Sequence, residues 1–205
     1  MEVNRQNFYF KKKEVLFKEG EELKGIYFIH EGTVKVHKKW GDKELILRFA
    51  RKGAIAGHRG LGGDSLYPVS ATALEPVTVC YVDIDFFKAT TKINQDFLYE
   101  LMMFFAKELK ESERNMRNLA HMAVKGRIAQ ALLILTEKFG IKDDGSIDIE
   151  LSRQDFASFV GTTYETVFRI LNELTENNII KVNSKLISIL NMEKLLSLTN
   201  AADVQ

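Results

Sequence analysis

Between Ser152 and Leu171 the chain reads Ser152-Arg153-Gln154-Asp155-Phe156-Ala157-Ser158-Phe159-Val160-Gly161-Thr162-Thr163-Tyr164-Glu165-Thr166-Val167-Phe168-Arg169-Ile170-Leu171. Two short helical patterns meet at Gly161. Ser152-x-x-Asp155 has the form of an N-cap with an acid in the first turn. Phe156 and Val160 give the first helix its apolar face, and Ile170, Leu171 and Leu174 give the second helix its own. Ala157, Gly161 and Val167 fall four and six residues apart. That spacing places a small residue where two helices cross closely, a glycine at a left-handed turn and a buried aliphatic beyond it. Thr162-x-x-Glu165 is expected to close a capping box on the second helix.

An ordinary pair of helices would satisfy part of this pattern, so the flanking sequence decides. Downstream, Ile179–Val182 and Leu186–Ile189 flank the polar turn Asn183-Ser184-Lys185, as a hairpin wing would. Upstream, Arg127 to Phe139 is an amphipathic helix ended by Gly140, and Ile147–Leu151 alternates like a short strand. Together these read as a winged helix-turn-helix, a DNA-reading module.

Further upstream, from about Ile93 to Ala123, neither glycine nor proline occurs. Leu98, Met102, Phe105, Leu109, Ser112, Met116, Leu119 and Ala123 succeed one another at alternating steps of four and three. This is an a/d seam held through nearly four heptads, and an identical chain is the simplest partner for it. Phe97, Leu101 and Phe104 widen the stripe at the N-terminal end, where the helix is expected to touch its own domain. Lys107, Glu108, Lys110, Glu111, Glu113 and Arg114 are expected to form the solvent face.

From Phe8 to about Phe87 the rhythm is that of short strands. Ile26–Ile29 and Thr33–His37 flank Glu31-Gly32, the turn Trp40–Lys43 leads into Glu44–Phe49, and Val77–Val82 alternates β-formers. Many short strands with glycine-marked turns point to a β sandwich or barrel. The expected fold class is therefore α+β: a jelly-roll β-barrel over residues 1–92, a long dimerisation helix over 93–124 and a winged helix-turn-helix over 125–205.

The totals narrow the function classes. The chain has 205 residues, 45% hydrophobic, with a formal net charge of +1, so any nucleic-acid binding must come from a local patch. A single cysteine, Cys80, leaves no internal disulfide, no Cys-ligated iron–sulfur cluster and no cysteine-rich zinc site. The four histidines His30, His37, His58 and His121 are scattered and read as surface or packing residues. A cupin-like metal enzyme would need several of them clustered with a carboxylate on adjacent strands, and would leave the C-terminal module without a role. No nucleophile elbow or other catalytic motif occurs, so no enzyme and no metal are expected. No apolar run approaches bilayer length, and the start MEVNRQNFYFKKKE lacks the apolar core of a signal peptide. A cytoplasmic location is expected.

Gly126-Arg127-Ile128-Ala129-Gln130, Leu151-Ser152-Arg153-Gln154-Asp155 and Gly161-x-x-x-Glu165-Thr166-Val167-x-Arg169-Ile170-Leu171 together resemble the CRP/FNR family of bacterial transcription regulators. The resemblance covers nearly the whole chain and retains the Glu-Thr-Val-x-Arg motif of the recognition helix. It implies a homodimer that binds a pseudo-palindromic promoter site in double-stranded DNA and contacts RNA polymerase. Ser152, Arg153, Thr163, Tyr164, Glu165, Arg169 and Lys185 are the DNA-binding candidates it marks. Glu165 and Arg169, four apart, share a helical face from which arginine suits guanine and glutamate suits cytosine. Lys181 and Lys185 on the wing suit phosphates. A sensor module without DNA binding is the alternative of a different class.

The resemblance also bears on Gly57-His58-Arg59-Gly60-Leu61-Gly62-Gly63-Asp64-Ser65. Cyclic-nucleotide-binding members carry Gly-Glu-Leu-Gly here and Arg-Ser/Thr-Ala further on. Gly57, Gly60, Leu61, Ser70 and Ala71 match that frame, but His58 replaces the ribose-binding glutamate and Val69 the phosphate-binding arginine. Three readings stay open. The loop binds another small effector, through His58, Arg59 and its amides. It is a structural turn with no ligand. Or it holds a cyclic nucleotide weakly, helped by Ser112 on the seam. The residues point to no particular cofactor; an unknown small-molecule effector is compatible with the sequence.

Overall fold

The computed structural model describes residues 5–200. The chain divides into two compact units, one reaching to Lys110 and one beginning at Glu111.

The first unit is built on two four-stranded sheets. β1 (Arg5–Phe10), β8 (Val77–Asp83), β3 (Gly25–Glu31) and β6 (Ile55–Ala56) lie side by side in one; β2 (Val15–Phe17), β7 (Ser70–Ala73), β4 (Val34–Trp40) and β5 (Lys43–Ala50) make the other. All of these pairings are antiparallel. The period-2 pattern sends Ile29, Val34, Val36, Ala71, Ala73, Val77 and Val79 into one apolar core. The jelly-roll expectation therefore holds as a two-sheet sandwich.

This unit also holds a helix that the strand rhythm does not announce, α1 (Ile84–Ile93). Its opening residues Ile84-Asp85-Phe86-Phe87 prolong the run of β-formers in β8, which hides the change of structure. The signal is Asp83, whose carboxylate accepts hydrogen bonds from the amides of Asp85 and Phe86. Asn94 then adopts an extended conformation that ends α1, and its side chain accepts from the Phe97 amide to start α2 (Gln95–His121). Leu101, Phe97 and Phe104 pack against the sandwich core, as the widened stripe required, and Phe105, expected on the seam, joins them.

The second unit contains α3 (Val124–Phe139), α4 (Arg153–Val160), α5 (Tyr164–Glu176), the hairpin β9 (Ile180–Asn183) with β10 (Leu186–Ile189), and α6 (Met192–Ser197). Ile128, Leu132, Phe156, Leu174, Ile180 and Leu195 are its fully buried large side chains. The wing forms in the expected place, with Leu186 opposite Asn183 and Ile189 opposite Ile180. Ile147–Leu151 is not a strand: only the isolated bridges Ile141–Ile147 and Ser146–Ser188 form there. Its alternation reflects burial of Ile147 and Leu151 alone.

Candidate functional site

Helix α4 starts where Ser152 Oγ accepts from the Asp155 amide, 3.0 Å away. It stops at Gly161, which has φ 73° and donates its amide to Ala157 O. A side chain in that left-handed conformation is strained, so glycine fits there. Ala157 and Val167 are both completely buried, as close crossing of the two helices demands. The cap of α5 differs from expectation by one residue. Thr163, not Thr162, is the N-cap, and its Oγ1 accepts from the Thr166 amide. Thr162 is held in the turn by its own amide bond to Ala157 O, so Glu165 closes no capping box. Its carboxylate is left on the surface.

Val167, Ile170, Leu171 and Leu174 fix one face of α5 in the core. Tyr164, Glu165, Phe168, Arg169 and Asn172 occupy the opposite face and are exposed. The structure thus brings Thr163, Tyr164, Glu165 and Arg169 to one surface. Arg153 takes another role: its Nη2 donates to Ser184 O, 2.6 Å away in the turn of the wing. Lys185 beside it is exposed.

Arg127 has a role that its place in the sequence does not disclose. Its guanidinium donates to four carbonyls, those of Leu119 and Met122 at the end of α2 and those of Val160 and Gly161 at the end of α4. Carbonyls at helix C-termini have no partner within the helix, and a planar five-donor group suits them. One side chain therefore ties the end of the long helix to the turn between α4 and α5.

The glycine loop folds as a 3-10 helix over His58–Gly62. Gly57 precedes it at φ 90°, where a Cβ would also stand 3.1 Å from the Tyr67 ring and 3.2 Å from Gly25 O. What the loop holds is a carboxylate of the chain itself. The heptad pattern puts Glu108 of α2 on the solvent face; instead it is turned inward, its Oε2 2.9 Å from Arg59 Nη2, 3.3 Å from Arg48 Nε and 3.8 Å from His58 Nε2. The pattern misplaces it because its partners lie 49 and more residues away, beyond any helical period. His58 is only 1% exposed, wedged edge-on against Phe104 and Phe105. At 3.8 Å from Glu108 Oε2, His58 Nε2 lies beyond hydrogen-bond distance. Burial works against ionisation of Glu108, yet His58, Arg48 and Arg59 outweigh it and bring the carboxyl to about 2. Burial lowers the His58 pKa below the usual histidine range, with Arg48 and Arg59 adding to the effect against the pull of Glu108. Among the other pocket candidates, Leu61 packs on the core, Ala71 is buried in it, and Ser70 Oγ accepts from the Glu19 amide. Ser112 is exposed on α2.

Comparison with known proteins resolves the family. A cyclic nucleotide-binding domain matches residues 7–94 and a Crp-like helix-turn-helix domain residues 126–198. The cAMP-activated global transcriptional regulator CRP of Pasteurella multocida is 32% identical over 178 residues, 85% of this chain and 85% of that protein. The chain belongs to the CRP/FNR family of transcription regulators. The fumarate and nitrate reduction regulatory protein of Vibrio cholerae is 28% identical over 93% of this chain and 77% of its own length. In fold, the chain resembles FixK2 from Bradyrhizobium japonicum, with a TM-score of 0.86 at 24% identity over 97% of this chain and 99% of that one. It is a DNA-binding transcription regulator, and the family consists of regulators rather than enzymes.

The seam of α2 is largely exposed. Leu98, Met102, Leu109, Met116 and Leu119 are all exposed, Leu109 at 61% and Met116 at 64%. Phe105 departs from them, half-buried against the sandwich. No helix among the described residues is long and apolar enough to cross a membrane.

Proposed function

We propose that this CRP/FNR protein acts as a cytoplasmic homodimer that reads a pseudo-palindromic promoter site with helix α5 and does not respond to cyclic AMP. The observation that carries the reading is the exposed face of α5, where Glu165 and Arg169 stand on a helix locked from behind. Arginine reaches guanine O6 and N7, glutamate accepts from cytosine N4, and Thr163 with Ser152 borders that surface. Lys181, Lys185 and Arg153 on or beside the wing serve the phosphates and the wing's position. The row Leu98, Met102, Leu109, Ser112, Met116 and Leu119 pairs with its copy. Residues 1–92 form the sensing domain, 93–124 the dimerising helix and 125–205 the reading domain, which acts together with RNA polymerase. The protein is not an enzyme.

The case against cyclic AMP rests on two replacements. Val69, where the phosphate partner stands in cyclic-nucleotide binders, is buried in the apolar core. The remaining local cations, Arg48 and Arg59, already face Glu108. An effector acting at this loop must compete with that carboxylate for Arg59.

Selection from random DNA tests the reading directly. A palindrome with half-site centres about 34 Å apart is expected. Charged residues in place of Leu109 and Met116 should give a monomer in sedimentation and abolish binding to the selected site. Calorimetry should detect no micromolar binding of cyclic AMP. Selection without a palindrome, a wild-type monomer at micromolar concentration, or tight cyclic AMP binding would each refute the corresponding part.

A further inference from the structure

Tyr164 and Phe168 lie one turn apart on α5, with their rings stacked at 6.4 Å between centroids and 12° between planes. They are 44% and 52% exposed. Neither contributes to the core beneath them, where Val167, Ile170, Leu171 and Leu174 already fill the buried face. A scattered apolar side chain on a surface is ordinary. Two aromatics stacked on each other, in the arc that also carries Glu165, Arg169 and Asn172, make a flat apolar strip inside a polar reading surface. Phe168 and Arg169 moreover border one open groove together with Asn172, Glu173 and Glu176.

In the major groove the base edges offer donors, acceptors and one apolar group, the 5-methyl of thymine. Glu165 and Arg169 account for donor and acceptor readout of a G·C pair; they gain nothing from a methyl. The aromatic strip has the complementary chemistry. We propose that Phe168, backed by Tyr164, is a specificity-determining residue that reads thymine methyl groups next to the G·C pair in each half-site. This deepens the proposal that α5 enters the major groove and rests on it. Stacking limits the motion of both rings, so little rotamer freedom remains to be lost on binding. Four residues of helix advance about 6 Å, so the strip reaches one or two neighbouring base pairs.

The test uses the full-length protein and the DNA that it selects. Each thymine of the half-site is replaced in turn by deoxyuridine, which removes only the methyl and leaves every hydrogen-bonding group and phosphate in place. At one or two positions per half-site, wild-type affinity should fall about fourfold, the equivalent of one buried methyl group. Phe168→Ala should bind thymine and uracil sites alike, whereas Phe168→Leu should keep most of the difference. Because the position is exposed, both variants should fold, and an unchanged melting curve verifies this. Equal affinity of wild type for every deoxyuridine site, or a selected half-site without thymine, overturns the proposal while leaving Glu165 and Arg169 as readers. Selection of no sequence at all overturns the groove placement of α5 itself.

Discussion

Arginine and glutamate side chains meet both at the glycine loop and on the recognition helix, and the two places use them in opposite ways. Around Gly57–Gly62 the charges close on one another: Arg48 and Arg59 converge on the carboxylate of Glu108, with the buried His58 beside them. On α5 the charges point away from the protein, with Glu165 and Arg169 exposed on a helix whose other face is buried. A carboxylate that is out of water needs cations at close range, and a removed partner leaves a buried charge behind. An exposed carboxylate or guanidinium contributes little to folding and stays free for a partner. The first group of charges therefore belongs to stability, and the second is the one proposed for binding.

Two substitutions should separate these roles. Glu108→Ala leaves Arg48 and Arg59 without the carboxylate that they face, beside the buried His58. It should destabilise the protein by about 2–3 kcal/mol in denaturant unfolding, below the usual range for a buried pair because Arg59 is 28% exposed. Glu108→Gln, which keeps an acceptor, should cost less. Arg169→Ala should do the reverse: melting stays unchanged, DNA affinity falls by about 1–3 kcal/mol, and discrimination at one base pair per half-site relaxes. If Glu108→Ala melted like wild type, the cluster would not be holding the loop. If Arg169→Ala lowered the melting temperature instead of the affinity, α5 would be structural.

The same contrast explains which features could be read from sequence. The helix-turn-helix was legible because Ala157, Gly161 and Val167 act over short range, through one helix crossing and one left-handed turn. The wing, the sandwich strands and the inward stripe of Phe97, Leu101 and Phe104 were legible through periodicity. Glu108 was not, since a helical period says which side chains share a face and nothing about a cation from another element. Arg127 stood inside a recognisable motif, yet its four carbonyl acceptors come from two helix ends that only the fold brings together. Helix α1 was hidden for a different reason, because Ile84, Phe86 and Phe87 are β-formers and the start signal is the single cap Asp83. The capping residue of α5 was misplaced by one position because Thr162 and Thr163 are both able to cap.

A smaller effect should appear with pH, and only in the closed cluster. His58 and Glu108 both have folded pKa values below their ordinary ones, His58 below ~6.5 and Glu108 at about 2 against ~4.3. Each depressed value means that the unfolded chain binds the proton more readily, so stability is full above the unfolded pKa and is lost as pH falls. Wild-type stability should begin to decline below about pH 6.5 through His58, and decline further below about pH 4.3 through Glu108. His58→Gln should remove the upper part of that decline and keep the lower. A profile that is flat between about pH 7 and 5 in the wild type would mean that His58 takes up its proton equally readily in the folded and unfolded chain, and stability that rises as pH falls through that window would mean that His58 is protonated in the fold.

The smallest effect belongs to the wing, where the two kinds of charge stand side by side. Arg153 is committed to the protein, donating to Ser184 O and so fixing the turn of the wing. Lys185, the next residue after Ser184, is exposed and adds a charge at the tip of the hairpin. A phosphate contact made by such a lysine releases one counterion and carries no sequence information. Lys185→Ala should accordingly weaken binding to every sequence by a similar factor. The slope of log affinity against log salt should become shallower by about one for each phosphate that no longer meets a lysine. The selected sequence should not change, and neither should the melting temperature. Arg153→Ala should behave otherwise, loosening the wing and changing the salt slope little, because its bond to Ser184 is internal. If Lys185→Ala altered the preferred bases, the wing would be reading sequence and the division between inward and outward charges would fail there first.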